Sequence, residues 1–203
     1  MPTGDIKVLE RVMSDIADAV DDFVVLSIHN DIDLLTLPEH KSTIARLLES
    51  HEFKGDQGRS YRRIKCLYHA EIPIQYHDHS GCHIDLKTGL YYGGLEPNTL
   101  VPVDSEFQEY VYKSKVKTGD IWKYRLSPES NVVHTVYRII FDKKNVPKHY
   151  RRRLEENLLE CNGEELRLVF DMVLFKFGKR AFELVINKKF DSLIEEYVGY
   201  SDY

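Results

Sequence analysis

Residues 23–35 read Phe23-Val24-Val25-Leu26-Ser27-Ile28-His29-Asn30-Asp31-Ile32-Asp33-Leu34-Leu35. The opening run is rich in β-branched and aromatic residues, which predicts a strand, and the segment from Asn30 predicts another. Side chains alternate along a strand, so Asp31 and Asp33 share one face while Ile32 and Leu34 hold the other. Their α-carbons would stand roughly 6.5 Å apart. Two carboxylates at that spacing can converge on a hard divalent cation while the residues between them anchor the strand. Asp-x-Asp is equally the signature of a polar strand end, so the pair needs a second element.

Downstream, Ile74-Gln75-Tyr76-His77-Asp78-His79 and Cys82-His83-Ile84-Asp85-Leu86-Lys87 flank Ser80-Gly81. Two extended runs around a two-residue linker predict a β-hairpin. With Ser80-Gly81 as the turn, His79 pairs with Cys82, Asp78 with His83 and Tyr76 with Asp85. Tyr76, Asp78, His83, Asp85 and Lys87 then project to one side, and Ile84 and Leu86 to the core. A slip of one residue would exchange the faces of the first strand. In this register His77 and His79 lie opposite His83 and Asp85, which is poor geometry for a histidine-rich transition-metal site.

The flanking sequence is helical. Ile6, Leu9, Met13, Ile16 and Val20 recur at helical spacing over 5–20. Pro38 suits the first position of a helix whose apolar side carries Ile44, Leu47 and Leu48. Gly55 and Gly58 mark a basic loop, and residues 62–69 predict another strand. Ser127-Pro128-Glu129 supplies the cap and first turn of a helix, and further helices are predicted at 147–160, 164–177, 179–187 and 190–198. The expected fold class is α+β: a small mixed sheet with flanking helices, followed by a helical C-terminal region. The expected domains are 1–103, α/β, and 104–203, mainly helical.

Asn30-Asp31-Ile32-Asp33-Leu34-Leu35, a helix, a basic loop and then Ile84-Asp85-Leu86 resemble the nucleotidyltransferase superfamily with the polymerase-beta-like fold, in its loosely characterised prokaryotic branches. The resemblance covers motifs within residues 5–95 and only texture beyond. It implies that Asp31, Asp33 and Asp85 bind magnesium, with manganese able to substitute. It further implies that Asp85 helps activate an acceptor hydroxyl. The implied reaction moves a nucleoside monophosphate from a nucleoside triphosphate to that hydroxyl. One departure is plain: the superfamily's Gly-Ser pair, which holds the triphosphate, is missing, since Gly4 is the only glycine before Gly55. Ser27 could serve in part. Arg59, Arg62, Arg63 and Lys65 are the basic side chains nearest in sequence for phosphate, with Lys87 and His83 on the hairpin; arginine grips phosphate in a bidentate fork. The departure keeps open an alternative, a catalytically inactive protein that uses the fold for binding or regulation, and a third reading as a metal-dependent phosphohydrolase.

Composition bounds the rest. The chain has 203 residues, 42% apolar and 30% charged, with a net charge of −5. That is enough for an ordinary core and argues against a generic duplex-DNA coat. A small-molecule or protein hydroxyl is therefore expected as acceptor in preference to a long nucleic acid. The three cysteines, Cys66, Cys82 and Cys161, form no CxxC pair, so neither a disulfide framework nor a structural zinc site is expected. No signal pattern and no membrane-length apolar run is present, and the expected location is cytoplasmic. There is no Gly-x-Ser-x-Gly elbow and no phosphate-binding Gly-x-x-x-x-Gly-Lys loop. The basic run from Lys143 to Arg153 is read as a solvated face, and Tyr137, Phe141, Phe170 and Phe177 as helical core.

Overall fold

Local sequence decides the first elements of the computed structural model, which describes residues 6–28, 31–56, 65–66, 73–94 and 98–201, the side chains of 65, 66 and 201 excepted. Helix α1 (Ile6–Ala19) buries Leu9, Val12, Met13 and Ile16, one apolar stripe at three-to-four-residue spacing. Strand β1 (Phe23–Ile28) follows, then β2 (Ile32–Thr36). A 3-10 turn with Pro38 at its start leads into α2 (Lys41–Ser50), which buries Ile44 and Leu48. His51, just past α2, holds Asp15 of α1 through its Nε2 at 2.7 Å.

The chain then forms β3 (Lys54–Asp56), β4 (Lys65–Cys66), β5 (Ile74–His77) and β6 (His83–Lys87). Of the strand predicted over 62–69, the described residues include only β4. Further on come β7 (Tyr91–Gly93), β8 (Thr99–Pro102), helix α3 (Ser105–Ser114), β9 (Val116–Lys117) and β10 (Tyr124–Arg125). Two compact units result: Met1–Leu90 with Tyr112–Leu126, and Tyr91–Val111 with Ser127–Tyr203.

In the first unit a seven-stranded mixed sheet runs in the order β3-β5-β6-β2-β1-β10-β9. Strand β2 sits at its centre, antiparallel to β1 and parallel to β6, and β10 runs parallel to β1. One face of the sheet carries Phe23, Val25, Ile32, Leu34, Tyr76, Ile84 and Leu86, packed with the apolar stripes of α1 and α2 and with Trp122. This is the core, and by alternation the polar residues between these positions point to the other face. Between β9 and β10, Asp120 organises a tight turn, accepting from Thr118 Oγ1 at 2.7 Å and from the Trp122 amide at 3.0 Å.

The second unit pairs β7 with β8 and is otherwise helical. Its helices are α4 (Pro128–Tyr137), α5 (Lys148–Leu158), α6 (Gly163–Leu174), α7 (Gly178–Ile186) and α8 (Ser192–Ser201), with a π-helical turn over Arg138–Lys143. Ser127 caps α4 by accepting from the Ser130 amide, with Pro128 in the first turn, as its sequence predicts. Gly178 lets α7 start hard against α6. A β-carbon there would lie 2.5 Å from the Phe170 carbonyl oxygen. Among the described residues no helix is long and apolar enough to cross a membrane.

Candidate functional site

Parallel pairing of β2 with β6 sets Asp33 directly beside Asp85. Neighbouring strands lie about 4.8 Å apart, so two carboxylates in register on one face are immediate neighbours. They are also buried, Asp33 at 4% exposure and Asp85 at 3%. The strand alternation read from the sequence is therefore realised, with Ile32, Leu34, Ile84 and Leu86 in the core and both aspartates on the opposite face. Asp31, half-buried, stands just before β2.

Hydrogen bonds hold the pair in place. Ser27 lies opposite Asp33 across β1 and β2, and its hydroxyl donates to Asp33 Oδ2 at 2.5 Å. A register shift between Val25 and Ser27 turns the end of β1, so Ser27 faces the acids while Ile28 pairs with Ile32 on the core side. Lys87 forms an ion pair with Asp33. Gln75 sits across from Asp85 on β5 and donates its amide to Asp85 Oδ1 at 2.9 Å.

Burial drives the Asp85 carboxyl above the ordinary carboxylate range; Lys87 pulls it down, Asp33 pushes it up, Gln75 lowers it and Asp31 raises it. All three aspartates thus share one electrostatic environment, with Lys87 as the local counter-charge. Among the described residues, no three histidine, cysteine, aspartate or glutamate side chains stand close enough together to hold a metal ion unaided. Magnesium commonly takes only one or two carboxylates and completes its shell with substrate phosphates and water. The in-register pair Asp33 and Asp85 fits that requirement as a hard oxygen donor set.

The hairpin register differs from the expected one by a single residue. His77 pairs with His83 and Gln75 with Asp85, so Tyr76 enters the core instead of joining the acidic face. The reason lies in the turn. Asp78 accepts from the Ser80 amide at 2.9 Å and the Cys82 amide at 2.8 Å, and Gly81 takes a φ of 85°. This side-chain-capped turn spans Asp78–Cys82 and is longer than a two-residue Ser-Gly link. Gln75 was missed for that reason; Asp78 two residues before Ser80 is the signal that finds it. The slip also brings His77 to the side of His83, their rings 6.2 Å apart, where opposite faces were expected. His83 is exposed on the acidic face.

Arg59, Arg62 and Arg63 lie outside the described residues, as does the Lys65 side chain. The cysteine thiols of the two described side chains are unsuited to nucleophilic work. Burial above all pushes both Cys82 and Cys161 up to about 12, so neither is a thiolate near neutral pH.

Against known proteins, no protein-family model and no curated protein matches the chain. Among solved structures it is similar to the antibiotic-resistance factor ANT(2'')-Ia, an aminoglycoside nucleotidyltransferase. The TM-score is 0.50 at 11% identity, over 90% of this chain and 94% of that one. A second similarity, to the Thermotoga maritima CCA-adding enzyme complexed with tRNA, has 15% identity and a TM-score of 0.27, covering 96% of this chain and 55% of that one; a superposition of that quality carries no structural inference. The chain shares the fold of that first structure, α+β with a mixed sheet and C-terminal helices.

Proposed function

We propose that this chain is a magnesium-dependent nucleotidyltransferase that moves a nucleoside monophosphate from a nucleoside triphosphate to a hydroxyl acceptor. The observation that carries the reading is the buried, in-register pair of Asp33 and Asp85 on neighbouring parallel strands at the centre of the sheet. Burying the Asp85 carboxyl beside the Lys87–Asp33 ion pair costs stability, and a purely structural role offers no return for it. A functional role does.

In this reading Asp33 and Asp85, with Asp31 just before β2 as a further carboxylate, would hold the metal, whose shell would be completed by nucleotide phosphates and water. A bound magnesium supplies charge neutralisation at the phosphate oxygens. Ser27 orients Asp33 through its hydroxyl. Lys87 transfers its contact from Asp33 to a phosphate oxygen when the nucleotide arrives. Asp85, whose proton affinity is raised by burial, accepts the proton of the acceptor hydroxyl. That oxygen bonds to the α-phosphorus as the bond to the leaving oxygen breaks, and pyrophosphate departs. Arg59, Arg62, Arg63, Lys65 and His83 are the further phosphate-binding candidates, taking up the work of the missing Gly-Ser pair. The acceptor is a small molecule or a protein hydroxyl, consistent with the acidic chain, and the cytoplasm is the proposed compartment.

One observation favours a second reading. The Lys87–Asp33 ion pair already neutralises one carboxylate, as a silent scaffold would need. Calorimetry with magnesium and each nucleoside triphosphate separates the two. Micromolar binding that weakens at least about tenfold in Asp33→Asn and Asp85→Asn supports the enzyme. Failure to bind any nucleoside triphosphate supports the silent scaffold. Where binding is seen, labelled nucleotide with candidate hydroxyl compounds and cell extract identifies the acceptor.

A further inference from the structure

Lys87 stands two residues after Asp85 on β6, so alternation puts it on the acidic face. Its neighbour on β2 is Leu35, two residues beyond Asp33. From there its long stem runs back over the sheet, and the ammonium donates to Asp33 Oδ1. The other oxygen of that carboxylate, Oδ2, accepts from the Ser27 hydroxyl at 2.5 Å. Lys87 is also close enough to Asp85 to draw its proton affinity down. One ammonium therefore acts on both of the in-register carboxylates assigned to the metal.

The pair is shielded. The Lys87 side chain is only 17% exposed, so mobile salt screens it weakly. Breaking a shielded ion pair is costly when one partner is left without a counter-charge. A dication taking Asp33 would leave the ammonium beside it, deprived of its carboxylate and facing like charge. A phosphate oxygen removes that cost, because it offers the displaced ammonium an anion.

We propose that Lys87 is a plug: without nucleotide its ammonium holds Asp33 against divalent metal, so that metal and nucleoside triphosphate are taken up together. This rests on the metal-and-nucleotide reading of the site and adds an order of binding to it. The ion pair that a silent scaffold would keep as a permanent neutraliser is here a displaceable one. Its effect is that the paired acids carry no metal until a phosphate is present to complete the shell.

Equilibrium dialysis against manganese reads metal uptake directly, without turnover. The parent should retain manganese weakly by itself, and at least about tenfold more tightly with an α,β-methylene nucleoside triphosphate, each common base tried in turn. A bond between metal and phosphate would couple the two ligands in any case, so the deciding comparison is manganese without nucleotide. There Lys87→Met should bind about tenfold more tightly than the parent, while its affinity for the metal–nucleotide complex falls. A folding defect does not move the two affinities in opposite directions. Lys54→Met removes the same charge from an exposed position on β3 and should change neither. If Lys87→Met does not fold by circular dichroism, Lys87→Gln decides, being uncharged but still a hydrogen-bond donor. Manganese held by the parent as tightly without nucleotide as with it overturns the plug and leaves the metal reading standing. So does unchanged manganese binding in the Lys87 variant, or an equal gain in Lys54→Met. Manganese retained by neither parent nor variant, with or without nucleotide, overturns both.

Discussion

Asp85 carries its carboxyl within a sheet, where burial raises its proton affinity more than Lys87 and Gln75 lower it. Its folded pKa therefore lies above the unfolded value, and between the two the folded state binds more protons than the unfolded chain. Stability must then fall as pH rises through that window, and the cost persists at neutral pH. Asp85→Asn removes the charge while its side-chain oxygen still accepts from Gln75. In chelator, the variant should be more stable than the parent at neutral pH by about 1–3 kcal/mol. The difference should shrink towards zero below about pH 4, where both forms are uncharged. Urea denaturation at several pH values measures it; a difference independent of pH would remove Asp85 as the seat of the cost. At this scale the site was readable in the sequence wherever alternation alone sufficed. Asp33 and Asp85 share a face because each stands between two core residues, and that pattern needs no partner strand to be read.

At the scale of elements, reading succeeded where the signal was local and failed where it was a matter of pairing. The stripe of α1, the Ser127-Pro128 start of α4 and the apolar runs of β1 and β2 all specify themselves through neighbouring residues. The β5–β6 hairpin does not. Its register is set by the Asp78 side chain bonding to the amides of Ser80 and Cys82, which lengthens the turn and moves every residue of β5 to the other face. The consequence is measurable. Tyr76 is core, 3% exposed, with its phenol pushed up by burial and then by Glu49. Tyr76→Ala should cost about 3–4 kcal/mol, whereas Gln75→Ala, which removes one hydrogen bond at a half-buried position, should cost about 1 kcal/mol. The expected hairpin register would have ranked them differently, with Tyr76 on the polar face, so a pair of urea melts decides between the two. Helix α3 and the short strands β9 and β10 carried no readable signal for a related reason. The two strands are each two residues long and acquire meaning only against β1.

Across the whole molecule, the α+β class and the order of sheet before helices were legible from the change in periodicity along the chain. The return of β9 and β10 to the sheet of the first unit was not, because edge additions of that kind have no sequence period. The proposed acceptor chemistry likewise has no trace in the pattern, since acceptors are chosen by shape and loops. The parallel pairing of β2 with β6 has a further effect, in time instead of energy. It joins Asp33 to Asp85 across a long intervening stretch of chain, and such distant contacts form slowly. The refolding chain must therefore bring two negative charges together during the step already delayed by loop closure. Stopped-flow refolding of Asp85→Asn should run several-fold faster than the parent, with the unfolding limb little altered, if that pairing is made at the barrier. An unchanged refolding rate with slower unfolding would mean that the acids meet only after the barrier has been crossed.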